Sequence, residues 1–384
     1  METGIRQGFS TASDAREAVR ELAAALQQSD LGLVLFFCSP DYDLDQLASE
    51  MNRAFATVQV VGCTTAGEIG ANGYRERGLV GVSFAVSAAR AVVGYCDHLE
   101  RFEAADGHAL ADRLRFELED QAPQANPQNT FGFLITDGLS LHAEMVARTV
   151  KEALGRIQIF GGSAGDGMNF KQTHVFAGGS FRSSRAVLVL ATTALPFTVF
   201  KTEHLVATEE RCVITRACPT QRLVHEINGL PATEEFARLA GVPVAELTPQ
   251  HFAAVPLAVV IGGQTYIRAV QEVNADKSVT FFCAIEEGVV LRVARGVRLV
   301  ENLMEAFARI EAEIGPTQLV LACDCMLRRM EIVEKQLEQR VGEIFREHHT
   351  VGFNTYGEVY DGIHINQTLT GIAFGARPAE VERG

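Results

Sequence analysis

"VGFNTYGEV" at residues 351–359 and "VGCTTAGEI" at residues 61–69 share the pattern V-G-x-x-T-x-G-E-(I/V) within one chain. Extending the comparison downstream sets "VGCTTAGEIGANGYRERGLVGVSF" (61–84) over "VGFNTYGEVYDGIHINQTLTGIAF" (351–374), with eight identities in 24 positions and a constant offset of 290. Upstream the order of segments agrees as well. An amphipathic stretch ("SDAREAVRELAAALQQ"; "GVRLVENLMEAFARIEAEIG") precedes L-V-L at 33–35 and 319–321, and a second helical stretch leads into the motif. Apolar residues at period 3.6 in the helical pieces and short apolar runs between them predict helix, strand, helix, strand and a further strand. The chain therefore reads as internally duplicated αβαββ units. A degraded third copy reads from "FGFLITDG" (131–138) through "HAEMVARTVKEALG" to "IFGGSAGD" (159–166). The expected class is α/β, with mixed sheets flanked by helices in two modules, residues 1–210 and 211–384. The boundary follows the change of texture near "CPTQRLVHEINGL" (218–230) toward runs that read as antiparallel strands.

Bulk properties narrow the function. The 384 residues are 47% hydrophobic and carry a formal charge of −14, and mean hydropathy is close to zero. Such a chain buries a large core, repels polyphosphate and offers no basic stripe for nucleic acid. The longest apolar stretch, "AVLVLATTALPFTVF" (186–200), contains Pro196 and is short for a membrane span. The amino terminus has no apolar leader segment, so a cytoplasmic protein is expected. Eight scattered cysteines read as reduced thiols.

In each T-x-G-E loop the glycine permits a turn away from the strand, and the hydroxyl and carboxylate can bond exposed backbone groups. Two such loops related by duplication could also meet at a ligand pocket, which would make Thr65, Glu68, Thr355 and Glu358 lining residues. "GGSAG" (161–165) fits G-x-S-x-G with Ser163 as a nucleophile candidate, but "DGMNFKQTH" follows where the elbow requires a helix. C-x-C at 323–325 lacks a second ligand pair for zinc and reads as packed core thiols. Arg328 and Arg329 beyond it could hold an anionic group. Among ten histidines no pair makes a metal motif, and His364 in "DGIHINQTLTG" follows the second loop, where it could aim an imidazole into the pocket as a ligand.

Taken together, "VVGCTTAGEI", "FGGSAGD", "INGLPATEEFARLAG", "EEGVVLRVA", C-x-x-R (Cys325 to Arg328) and "GFNTYGEVYDGIHINQTLTGIAFG" resemble the FIST family in its N-terminal and C-terminal modules, over residues of about 30 to 375. That resemblance implies a bacterial sensory protein. The organisation is similar to stand-alone members that bind noncovalent b-type haem, sense nitric oxide and regulate a histidine kinase or a cyclic-di-GMP enzyme in trans. Which histidine would be the axial ligand is not carried by the motifs: His364 leads, with His204, His225 and His251 behind it, and Thr65, Glu68, Thr355, Tyr356, Glu358, Asn366 and Arg328 are expected around the cofactor. No catalytic residue, membrane insertion or nucleic-acid partner is expected, and a homodimer is admitted. The alternatives are a sensor for an amino-acid-like metabolite, with the Thr–Glu pairs on the amine and Arg328 on the carboxylate, and a hydrolase using Ser163.

Overall fold

The computed structural model describes residues 4–70, 73–261 and 263–376. Three units of one design follow each other: strand, helix, strand, helix, strand, hairpin, strand. The first unit has strand Ile5–Ser10, helix Ala15–Leu26, strand Leu31–Cys38, helix Leu44–Ala54, strand Gln59–Thr64, hairpin strands Glu68–Gly70 and Gly73–Arg75, and strand Leu79–Ala85. The second repeats that order from Ala89–Asp97 to Arg185–Thr193, and the third from Phe197–Thr202 to Leu369–Gly375. The degraded middle copy is thus a full structural equivalent.

Local chemistry sets these elements. Asp14 and Asp43 cap the first two helices by accepting from the backbone N–H of Glu17 and Gln46, both at 2.9 Å. The central strands are apolar on both faces because each is covered twice. Leu33, Leu35 and Phe37 enter a core shared by all three units, together with Phe131, Phe133 and Ile135 of the second and Leu319, Leu321 and Cys323 of the third. Their sequence neighbours Val34, Phe36, Leu134, Val320 and Ala322 face the outer helices instead. Cys323 and Cys325 are buried free thiols, matching the core reading.

No unit completes its own sheet. Strand Gln59–Thr64 of the first unit pairs with Val175–Ala177 from the hairpin of the second. Gln158–Ser163 of the second pairs with Glu358–Tyr360 from the third. Thr350–Thr355 of the third pairs with Glu68–Gly70 from the first. The hairpins pass around in one direction, and three six-stranded sheets close on one another.

Inserted into the third unit, residues 205–296 build an eight-stranded antiparallel sheet with helices Ala232–Ala240 and Pro249–Ala254. Its core includes Ile214, Val224, Phe236, Phe252 and Phe281. The expected division after residue 210 falls inside strand Leu205–Cys218. The third unit draws on both sides of it, since Phe197–Thr202 pairs with Leu369–Gly375. No helix among the described residues is long and apolar enough to cross a membrane.

Candidate ligand site

The three strand-end loops meet in a ring of backbone hydrogen bonds. Ala66 N–H donates to the carbonyl of Asn354 at 3.0 Å, Gly165 N–H to Thr64 at 2.9 Å, and Tyr356 N–H to Ser163 at 3.4 Å. The repeated motif is therefore two-thirds of a threefold figure, and "GGSAG" supplies the remaining third.

Within each T-x-G-E copy the polar side chains turn on their own loop. Thr65 Oγ1 donates to Glu68 Oε1 at 2.6 Å, and Gly78 N–H donates to Glu68 Oε2 at 3.0 Å. Thr355 bonds Glu358 in the same way, and Thr368 donates to Glu358 Oε2 from its N–H at 3.1 Å and its hydroxyl at 2.9 Å. Burial pushes the Glu68 carboxyl up to about 7 and that of Glu358 up to about 8, with the threonine and backbone donors offsetting part of the effect. The four residues expected to line a pocket thus clamp their own turns, and at the equivalent place in the second unit stands Val175.

A raised carboxyl has a definite consequence for stability. Folding favours the protonated form, so the contribution of Glu358 is fully present below the unfolded value of about 4.3 and is lost as pH rises through about 8. Stability to urea should therefore weaken between pH 5 and pH 9 by on the order of 4 kcal/mol from Glu358, with Glu68 adding to the fall over the same range, and Glu358→Gln should reduce that slope. An equal slope in the variant would refute the assignment.

Other expected site residues have internal partners too. Arg328, 1% exposed, bonds Asp324, 0% exposed, at 2.8 Å, and Tyr74 also donates to Asp324. Tyr356 donates its hydroxyl to Asp166 and packs on Phe170, with ring centroids 4.8 Å apart. Asn366 donates to the carbonyl of Tyr356 at 3.3 Å. His204 is paired with Glu331 at 2.7 Å, and His251 accepts from Thr248 N–H at 3.1 Å in a helix cap. His225 lies on strand Leu223–Ile227.

His364 has a different setting. It sits on hairpin strand Ile363–Ile365, buried, with Nε2 3.5 Å from Ser163 Oγ, while Ser163 Oγ lies 3.0 Å from Thr136 Oγ1. Its Nδ1 is buried without a hydrogen bond among the described residues. Burial, and then the charges of Arg222 and Arg268, push the imidazole down to about 3, so it is neutral at physiological pH. Gly357 packs against the ring: a Cβ there would lie 2.2 Å from His364 Cε1. Beside His364 opens a cavity of about 270 Å³, bordered by Glu144 and Arg148 of helix Ala143–Leu154 and by Arg268, Cys283 and Ala284 of the inserted region. Ser163 lacks the setting of a hydrolase nucleophile. Residues 164–174 contain no helix, and among the described residues no carboxylate bonds Nδ1 of His364.

The family model for the FIST N domain matches residues 32–230, and that for the FIST C domain matches residues 232–361. The chain belongs to the FIST family. FIST domains are sensory domains, which supports a sensor role for this FIST protein. No curated protein matches it. Among solved structures, a cyanuric acid hydrolase from A. caulinodans is 10% identical, with a TM-score of 0.38, covering 97% of this chain and 99% of that one. A second structure, described as "Cyanuric acid hydrolase: evolutionary innovation by structural concatenation", is 7% identical, with a TM-score of 0.36 and the same coverage. Likeness at this level bears on neither reaction nor ligand.

The haem implied by the resemblance can be tested against this FIST protein's own residues. A neutral imidazole with a free nitrogen is a suitable axial donor. The space beside it is not suitable: about 270 Å³ lies below the roughly 300–1,000 Å³ of pockets for drug-sized ligands, and arginine and glutamate border it where haem requires a mostly apolar cleft. The residues present do not fit haem. No group of three or more His, Cys, Asp or Glu side chains among the described residues could hold a metal ion. Sequence reasoning missed Glu144, Arg148, Arg222, Arg268 and Cys283, which belong to no motif and come from separate elements.

Proposed function

We propose that this FIST protein senses a small polar ligand in the cavity beside His364 and signals in trans to a protein partner such as a histidine kinase or a cyclic-di-GMP enzyme. The observation that carries this reading is where the cavity lies. Glu144 belongs to the second unit, His364 to the hairpin the third unit lends to that unit's sheet, and Arg268 and Cys283 to the inserted region. A ligand touching all three favours whichever relative arrangement it fits best, and that differential affinity is all a sensor needs.

A thermal-shift screen of small metabolites tests the reading. A ligand at 100 times its Kd stabilises by about 2.7 kcal/mol. The gain in Tm should vanish in Ala284→Trp, which places a large side chain at an exposed lining position, while the ligand-free Tm stays unchanged. A gain that persists in this variant places the ligand elsewhere. Protein expressed with ample haem should show no stoichiometric Soret band; a band that disappears in His364→Ala would restore the haem reading and displace this one.

A further inference from the structure

We infer that the ligand of this cavity carries an anionic group, a carboxylate or a phosphate, recognised by Arg268 with Arg222 behind it; the inference rests on the cavity being the sensory site. The chain as a whole carries −14, yet around this cavity stand Arg148, Arg222 and Arg268 against one carboxylate, Glu144. Arg148 is partly committed to Glu152 at 3.8 Å, on the solvent side. Arg222 is 6% exposed, and its Nε and Nη2 form no hydrogen bond among the described residues. Its nearest countercharge is Glu144 Oε1 at 3.9 Å, beyond hydrogen-bond length, and that oxygen already accepts from Ala284 N–H at 2.9 Å.

Buried guanidinium groups are ordinarily paired, because the field of an uncompensated charge is costly to enclose. Arg268 is half-buried at the cavity wall, with one bond from Nη1 to the carbonyl of Ile267 at 3.3 Å. The planar fork of arginine matches the two oxygens of a carboxylate or a phosphate. His364 stays neutral between these charges and adds no negative group. A cationic ligand would meet two arginines, and an uncharged one could accept a hydrogen bond from Arg222 but would leave its charge uncompensated. An anion alone supplies what the site lacks.

The test uses the full chain, with succinate and inorganic phosphate as probes and succinamide as the uncharged control. At millimolar concentration one of the anions should raise Tm, with an affinity that falls as ionic strength rises. Arg268→Gln should weaken that affinity at least about tenfold. The identity of the stabilising anion separates the carboxylate source from the phosphate source. Arg222→Gln should act in the same direction; because Arg222 is buried, Arg268→Gln decides the matter if that variant fails to fold. Equal affinity in wild type and Arg268→Gln, or no shift with either anion, overturns the inference. Stabilisation by succinamide alone also overturns it while leaving the cavity as a site. Anion binding that survives Ala284→Trp overturns the cavity itself.

Discussion

Arg328→Met is expected to destabilise the protein by about 3–5 kcal/mol, because it leaves a fully buried carboxylate without its countercharge. Asp324 lies at the end of strand Thr317–Cys325, and Arg328 lies four residues on, in the first turn of helix Met326–Glu334. Burial works against the guanidinium charge, but Asp324 and Tyr74 outweigh it and hold Arg328 ionised. The pair also ties units together, since Tyr74 belongs to the hairpin of the first unit and Asp324 to the third. Removing both charges in Arg328→Met with Asp324→Leu should recover most of the loss, the signature of a pair whose members need each other more than the fold needs the pair. Urea unfolding of the two variants checks this. A single substitution that costs under about 1 kcal/mol would mean that water or another group reaches Asp324.

The second large effect concerns the glycine that follows the first apolar residue of the motif. A Cβ on Gly352 would lie 1.9 Å from the carbonyl oxygen of Ala322 on the adjacent parallel strand. The equivalent glycines, Gly62 and Gly161, would meet the carbonyls of Phe36 and Leu134 at 2.5 and 1.8 Å. A backbone atom in a central strand has no alternative rotamer, so relief requires the strands to move apart. Gly352→Ala is therefore expected to cost about 3 kcal/mol or to abolish soluble expression, above the ordinary cost of an added methyl group. Gly241→Ala, with nothing within 4 Å of its Cβ and a left-handed backbone of φ 71° and ψ 24°, serves as the control and should lose about 1 kcal/mol. Equal losses at the two positions would show that the close approach at Gly352 is absent.

Much of the fold was legible in the sequence because it rests on local periodicity and on a pattern written twice. L-V-L, the amphipathic stretches and V-G-x-x-T-x-G-E all mark equivalent elements. The hairpin exchange was not legible, since pairing between Glu68–Gly70 and Thr350–Thr355 joins segments about as far apart as the chain allows. The site was harder to read for a different reason. A buried carboxylate beside a threonine looks the same whether it faces a ligand or its own turn, and only Val175 at the equivalent position signals burial rather than recognition. His364 was singled out by its nearness to the second loop, and it does border the cavity. Arg222 and Arg268 carry no motif, and only the folded inserted sheet brings them to it.

The circulating hairpins have a consequence for how the chain comes off the ribosome. The first unit is synthesised early, but its sheet stays one hairpin short until residues 175–182 have emerged, and its own hairpin waits for strand Thr350–Thr355, made long after it. Until then strand edges lie open, a condition that favours pairing with other nascent chains. Closure of the ring is thus a late, long-range event, and such contacts slow folding. A protein built this way should depend on chaperones more than its length suggests, and a stop codon anywhere between residues 200 and 350 should leave the first unit's hairpin without its strand and the second unit's sheet without its hairpin.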